Sequence, residues 1–171
     1  GALRTGRIKE LFVIFLIAIV GFIIGPIGIP AFMFIWLHLI TLVIITILLV
    51  PRFMNALKNA VTFEKGRNLK LMPVAIILFS FIALLTDHIV GNTVTVFYFH
   101  YILAMDAPTL VGFWLPITFV YPVERLLATV ILSLIVIAAE EAIVQTGLEL
   151  PLSPWDTREQ LEITPEEVEN G

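Results

Sequence analysis

The chain has 171 residues, 59% of them hydrophobic and only 14% charged, with a net charge of −4 and a mean hydropathy of +1.02. A soluble domain of this length carries about a quarter charged residues, so there are too few charges to cover a water-soluble core. The composition points instead to an all-α, polytopic membrane helix bundle. The absence of cysteine removes disulfides, thiol chemistry and cysteine metal sites, and the acidic balance with sparse basic patches argues against nucleic acid.

A crossing needs roughly 20 apolar residues to traverse about 30 Å of hydrocarbon. The first apolar run covers 10–25, after the charged start Arg4, Arg7 and Lys9. With no small-residue cleavage site it reads as a span rather than a signal peptide. It contains Gly21-Phe22-Ile23-Ile24-Gly25, a G-x-x-x-G spacing that permits close approach of a partner helix. The cluster Gly25-Pro26-Ile27-Gly28-Ile29-Pro30 predicts a hard turn. A second span covers 31–50, includes Trp36 and His38, and is stopped by Pro51-Arg52. In 52–64, Phe53, Met54, Leu57, Ala60 and Val61 recur at helical spacing between Lys58 and Lys65. That pattern predicts a short basic amphipathic helix on the cytoplasmic surface, lying on lipid or docked on a partner.

A third span covers 71–86 and a fourth 88–105, with a turn between them and Asp87 as N-cap. The fourth contains the aromatic cluster Phe97-Tyr98-Phe99-His100-Tyr101 and ends at Asp106-Ala107-Pro108. Residues 109–121, interrupted by Pro116 and closed by Pro122, form a short span or an interfacial elbow. One continuous helix from there to 145 would measure ~55 Å. The last span covers 123–145 and opens on Glu124-Arg125. Five to six transmembrane segments result, in a membrane domain over 1–150. An acidic, polar tail over 151–171 is expected to be mobile or ordered only by a partner. Eight of the ten Lys and Arg fall in 1–9 and 51–70, so the positive-inside rule places both regions in the cytoplasm. The chain then becomes a multi-pass protein of the cell membrane.

Polar residues within spans are expensive and are functional candidates by default. Asp87, His88 and Asn92 form the densest such group, on the expected outer rim. His88 and Asn92 lie four apart, on one helical face. With His100, Trp36 and His38 deeper in the bundle, they would suit a small, flat solute held by stacking and a few hydrogen bonds. The structural alternative is that Asp87 caps a helix and the aromatic residues simply pack. Glu124 and Arg125 point about 100° apart on a helix, so each is expected to find a partner elsewhere or to snorkel. Together with Gly21 and Gly25 they are the expected contacts with partner subunits.

No catalytic constellation is apparent, and the chain reads as a non-enzyme without cofactor or metal. The pattern His88-Ile89-Val90-Gly91-Asn92 with Glu140-Glu141 has the wrong order for an intramembrane prenyl protease and carries Gln145 where that pattern needs Arg. Zinc-protease spacing and a phosphate-binding glycine loop are both missing.

The Asp87-to-Asn92 segment and the helix start Pro122-Val123-Glu124-Arg125-Leu126-Leu127 resemble the substrate-binding S components of energy-coupling factor (ECF) transporters, over residues 10–150. The resemblance implies a six-helix protein that binds a vitamin or similar micronutrient near its outer side. It also implies a membrane coupling subunit and two cytoplasmic ATPases as partners, and no catalytic residues. The competing expectation is a non-catalytic structural or assembly subunit of a larger membrane complex. A polar-lined cavity opening outward would mark the S component.

Overall fold

The computed structural model describes residues 7–61 and 71–146. Among them every regular element is helical: α1 (Ile8–Ile24), a 3-10 turn (Phe32–Ile35) leading into α2 (Trp36–Leu48), α3 (Pro51–Val61), α4 (Met72–Phe97) prolonged by a π-turn (Tyr98–Ile102), and α5 (Ala107–Thr146). The chain divides into two compact units, Gly1–Ile137 and Ala138–Gly171. The bundle described below belongs to the first. In the second, residues 138–146 are helical, with Ala138, Ala139 and Glu141 exposed. The expected tail, 151–171, and the expected boundary at 150 lie outside the described residues.

Two helical runs are long and apolar enough to cross a membrane, Met72–Ile102 and Ala107–Ala139. A third is added if Phe32–Leu48 and Pro51–Ala60, bent by 94°, count as one broken span. Helix α1, with 17 residues, rises only ~25 Å.

Two expected breaks are absent. The turn at 87–92 does not form: α4 runs unbroken through Asp87, His88 and Asn92, so Asp87 caps nothing and the expected third and fourth spans are one. Likewise α5 passes through Pro116 and Pro122 without interruption, joining 109–121 to 123–145. The reason is common to both. In lipid, backbone groups must be hydrogen-bonded internally, and helices tolerate residues that would end them in water. Hydroxyls of Thr86, Thr118, Thr129 and Ser133 bond back to carbonyls four residues earlier, so they too are satisfied within their own helices. The capping role falls to Asp106 instead, whose Oδ1 accepts the Thr109 N–H at 3.3 Å at the start of α5.

The turn at Gly25–Pro30 forms as expected. A Cβ on Gly28 would collide with the carbonyl oxygens of Ile23 and Phe22, so only glycine fits there. Ile27 and Ala31 are fully buried and tuck the turn back onto the bundle.

Contacts fix the helix directions. Phe15 meets His38 and Phe22 meets Phe34, so α1 and α2 are antiparallel. Thr93 Oγ1 donates to the Ala18 carbonyl at 2.9 Å, and the space beside Gly25 is closed by Phe97, so α1 and α4 run parallel. Tyr121 meets His88 while Trp114 meets Phe99, so α5 runs antiparallel to α4. The start of α1, with Arg7 and Lys9, therefore shares one end of the bundle with Arg52 and Lys58 of α3.

Helix α3 corrects the expectation of a lipid-facing amphipathic helix in part. Met54, Leu57 and Ala60 are buried, and α3 packs on α2 and α4. Phe53, half exposed, is left for lipid. In α5 the polarity is inverted. Phe113, Phe119, Val123, Leu127 and Ile131 point outward, while Thr118, Tyr121, Thr129 and Ser133 are buried. That arrangement suits a helix whose outer solvent is hydrocarbon.

Candidate functional site

The centre of the bundle is a buried histidine pair. His38 comes from α2 and His88 from α4, and His38 Nε2 lies 3.1 Å from His88 Nδ1. One nitrogen must donate and the other accept, so the pair carries at most one positive charge. The two rings stack at 5.2 Å between centroids. Tyr121 of α5 stacks on both, at 5.6 Å from His38 and 4.8 Å from His88. Phe34 closes the cluster, 4.9 Å from the Tyr121 ring, and its carbonyl accepts the Tyr121 hydroxyl at 2.6 Å. Three helices and the 3-10 turn thus meet in one aromatic, polar knot. It lies level with Phe15, near the middle of α1, and not at an outer rim.

One turn beyond Tyr121, Arg125 projects from the same face of α5. It lies within electrostatic reach of both His38 and His88. Its Nη2 is 3.3 Å from Glu124 Oε1, with Glu124 much the more exposed partner. The two neighbours therefore do pair, against the expectation from helix geometry, because both side chains are long enough to bend toward each other outside the helix. Two buried side-chain nitrogens have no hydrogen-bond partner among the described residues, His38 Nδ1 and Arg125 Nε. Such groups normally find partners, so among the described residues these two nitrogens have unused binding capacity.

The remaining expected site residues are placed elsewhere. Asn92 donates to the His88 carbonyl at 2.7 Å and accepts the Trp114 indole N–H at 3.1 Å, tying α4 to α5. His100 Nδ1 donates to the Met105 carbonyl at 2.8 Å, closing the π-turn. Trp36 faces outward, 41% exposed. Asp87, about 100° round α4 from His88, is exposed. Gly21 and Gly25 face α4 of the same chain: a Cβ on Gly21 would lie 3.1 Å from Thr93 Cγ2, and one on Gly25 would lie 3.3 Å from Phe97. The close approach their spacing permits is taken up internally. A shallow groove lined by Thr93, Val94, Phe97, Tyr98, Tyr101 and Ile102 lies on α4 away from the histidines. It is almost wholly apolar and is not the polar cavity expected of an S component. Among the described residues no cluster of three or more metal-ligating side chains occurs.

No protein-family model, curated protein or solved structure matches the chain.

The case for a site therefore rests on its own residues. Tyr121 was expected to anchor at the interface and instead stacks on the histidine pair; Arg125, expected to contact a partner, follows one turn later on the same face of α5. The signal that marks them is the series Trp114, Thr118, Tyr121, Arg125, Thr129, Ser133, spaced three or four apart along an otherwise apolar helix. Dividing the helix at Pro122 splits that series in two and hides it.

Proposed function

We propose that the chain is a membrane-embedded, small-solute-binding subunit of an uptake transporter, with its site at His38, His88, Tyr121 and Arg125. The observation that carries this reading is two buried, unpartnered nitrogens, His38 Nδ1 within the aromatic stack and Arg125 Nε one turn beyond Tyr121 on α5. A ligand that satisfied them would recover hydrogen bonds that the protein alone leaves unmade. The resemblance to ECF S components extends the proposal to a vitamin-like solute, a membrane coupling subunit and cytoplasmic ATPases. The finer topology belongs to it as well: a multi-pass protein of the cell membrane, with 1–9 and 51–70 in the cytoplasm. Here α1, α2, α4 and α5 are the crossings, in place of five to six, and α3 lies along the cytoplasmic face.

The test is mass spectrometry of small molecules that co-purify with the full chain in mild detergent. A bound solute is expected, and His88→Phe should lose it while the helix content is retained. A wild-type protein carrying no solute, and taking up none from a panel of vitamins and metal ions, would overturn the reading.

One observation favours the second reading, a structural or assembly subunit. Asp87 is exposed midway along the 31-residue run Met72–Ile102, one turn from exposed Ala83 and exposed Gly91. A carboxylate facing lipid at that depth is costly, and small neighbours would let another subunit's helix cover it. Under this reading Asp87→Asn impairs assembly with the partner and leaves solute binding unchanged.

A further inference from the structure

Resting on the solute-binding reading, we infer that the His38–Arg125 locus takes a carboxylate group of the solute. The argument begins with donors. Arg125 Nε carries a hydrogen and is always a donor. It is buried and unpartnered, while Nη2 of the same guanidinium is engaged by Glu124. His38 is fully buried and its Nδ1 is also unpartnered. If His88 Nδ1–H donates to His38 Nε2, the remaining proton of neutral His38 sits on Nδ1. His38 then presents a second donor, within electrostatic reach of the Arg125 charge.

Two donors, one of them cationic, call for an acceptor with negative charge. A carboxylate has two oxygens and matches the planar edge of a guanidinium. Its single charge also has less hydration to lose on entering the bundle than a doubly charged phosphate. Glu124 is then a competitor: its carboxylate holds Nη2 from the exposed side, and a ligand carboxylate displaces it.

The test uses the full chain in detergent and four probes: acetate, benzoate, benzamide and inorganic phosphate. Binding is followed by calorimetry, and the ring nitrogens of 15N-labelled histidine by NMR. Acetate and benzoate should bind and move the His38 resonances, whereas benzamide and phosphate should bind at least about tenfold more weakly. Arg125→Gln should weaken benzoate by about tenfold to a hundredfold, the loss of one charge-assisted hydrogen bond. Glu124→Gln should tighten it, which keeps the test open should the Arg125 variant fold poorly. Phe119→Leu, on the lipid face, should leave binding unchanged. Equal binding of benzamide, preference for phosphate, or no tightening in Glu124→Gln overturns the carboxylate assignment while leaving a solute site in place. If none of the four probes binds, the assignment also falls, and the broader reading falls with it only if no solute co-purifies.

Discussion

At the scale of single residues, the polar groups that looked most available for a ligand are mostly consumed by the fold. Asn92 is the clearest case, since its amide serves the His88 carbonyl and the Trp114 indole together. Asn92→Ala removes the acceptor of a buried donor. It should destabilise the protein by about 1–3 kcal/mol, read as a lower midpoint in detergent-denaturant titration. Ala104 is the reverse case. It holds φ 54° just after the π-turn, where Met105 N–H reaches back to the Phe99 carbonyl. A left-handed conformation costs a residue with a Cβ roughly 1–2 kcal/mol, and glycine gives part of that back as chain entropy. Ala104→Gly should raise stability by about 0.5–1 kcal/mol; a fall in the same titration would mean that the turn relaxes differently.

At the scale of elements, the decisive facts are two continuities and one bend. Unbroken α4 puts Gly91 inside a helical run long and apolar enough to cross a membrane instead of in a loop. A cysteine at Lys58 should be labelled from the cytoplasm and one at Met105 from outside, while Gly91→Cys resists a membrane-impermeant reagent on both sides. Labelling of Gly91→Cys from outside would restore the turn and return the chain to more crossings. The contact of α1 with α4 depends on small residues at the crossing. With no hydrophobic drive between helices in lipid, close packing and bonds such as Thr93 to Ala18 supply the association. Gly21→Leu should therefore separate the two helices, destabilising the protein by about 1–3 kcal/mol, whereas Phe119→Leu on the outer face leaves the midpoint unchanged.

At the scale of the whole molecule, the knot of His38, His88 and Tyr121 ties α2, α4 and α5 at one level. Losing either histidine leaves the other with an unmade bond, while losing both to phenylalanine removes the demand altogether. In a cycle of His38→Phe, His88→Phe and the double variant, the double should therefore be less destabilised than the sum of the singles, by about 0.5–3 kcal/mol. Additive effects would mean that the two rings merely pack.

Composition and local punctuation were enough to establish the membrane character, the all-helical class, the Gly25–Pro30 turn, the stop at Pro51 and the gathering of basic residues in two segments. Each of these depends on residue type over a short stretch of chain, which is why it could be read in advance. Only the tertiary structure decided that 87–92 and Pro122 lie within helices, because the penalty for breaking a backbone ladder in lipid outweighs a local preference for turns. It alone decided which polar residues meet. The His38–His88 bond joins residues 50 apart and the Tyr121–Phe34 bond residues 87 apart. No sequence spacing encodes those distances directly; they follow from the direction of each helix and the face it turns inward.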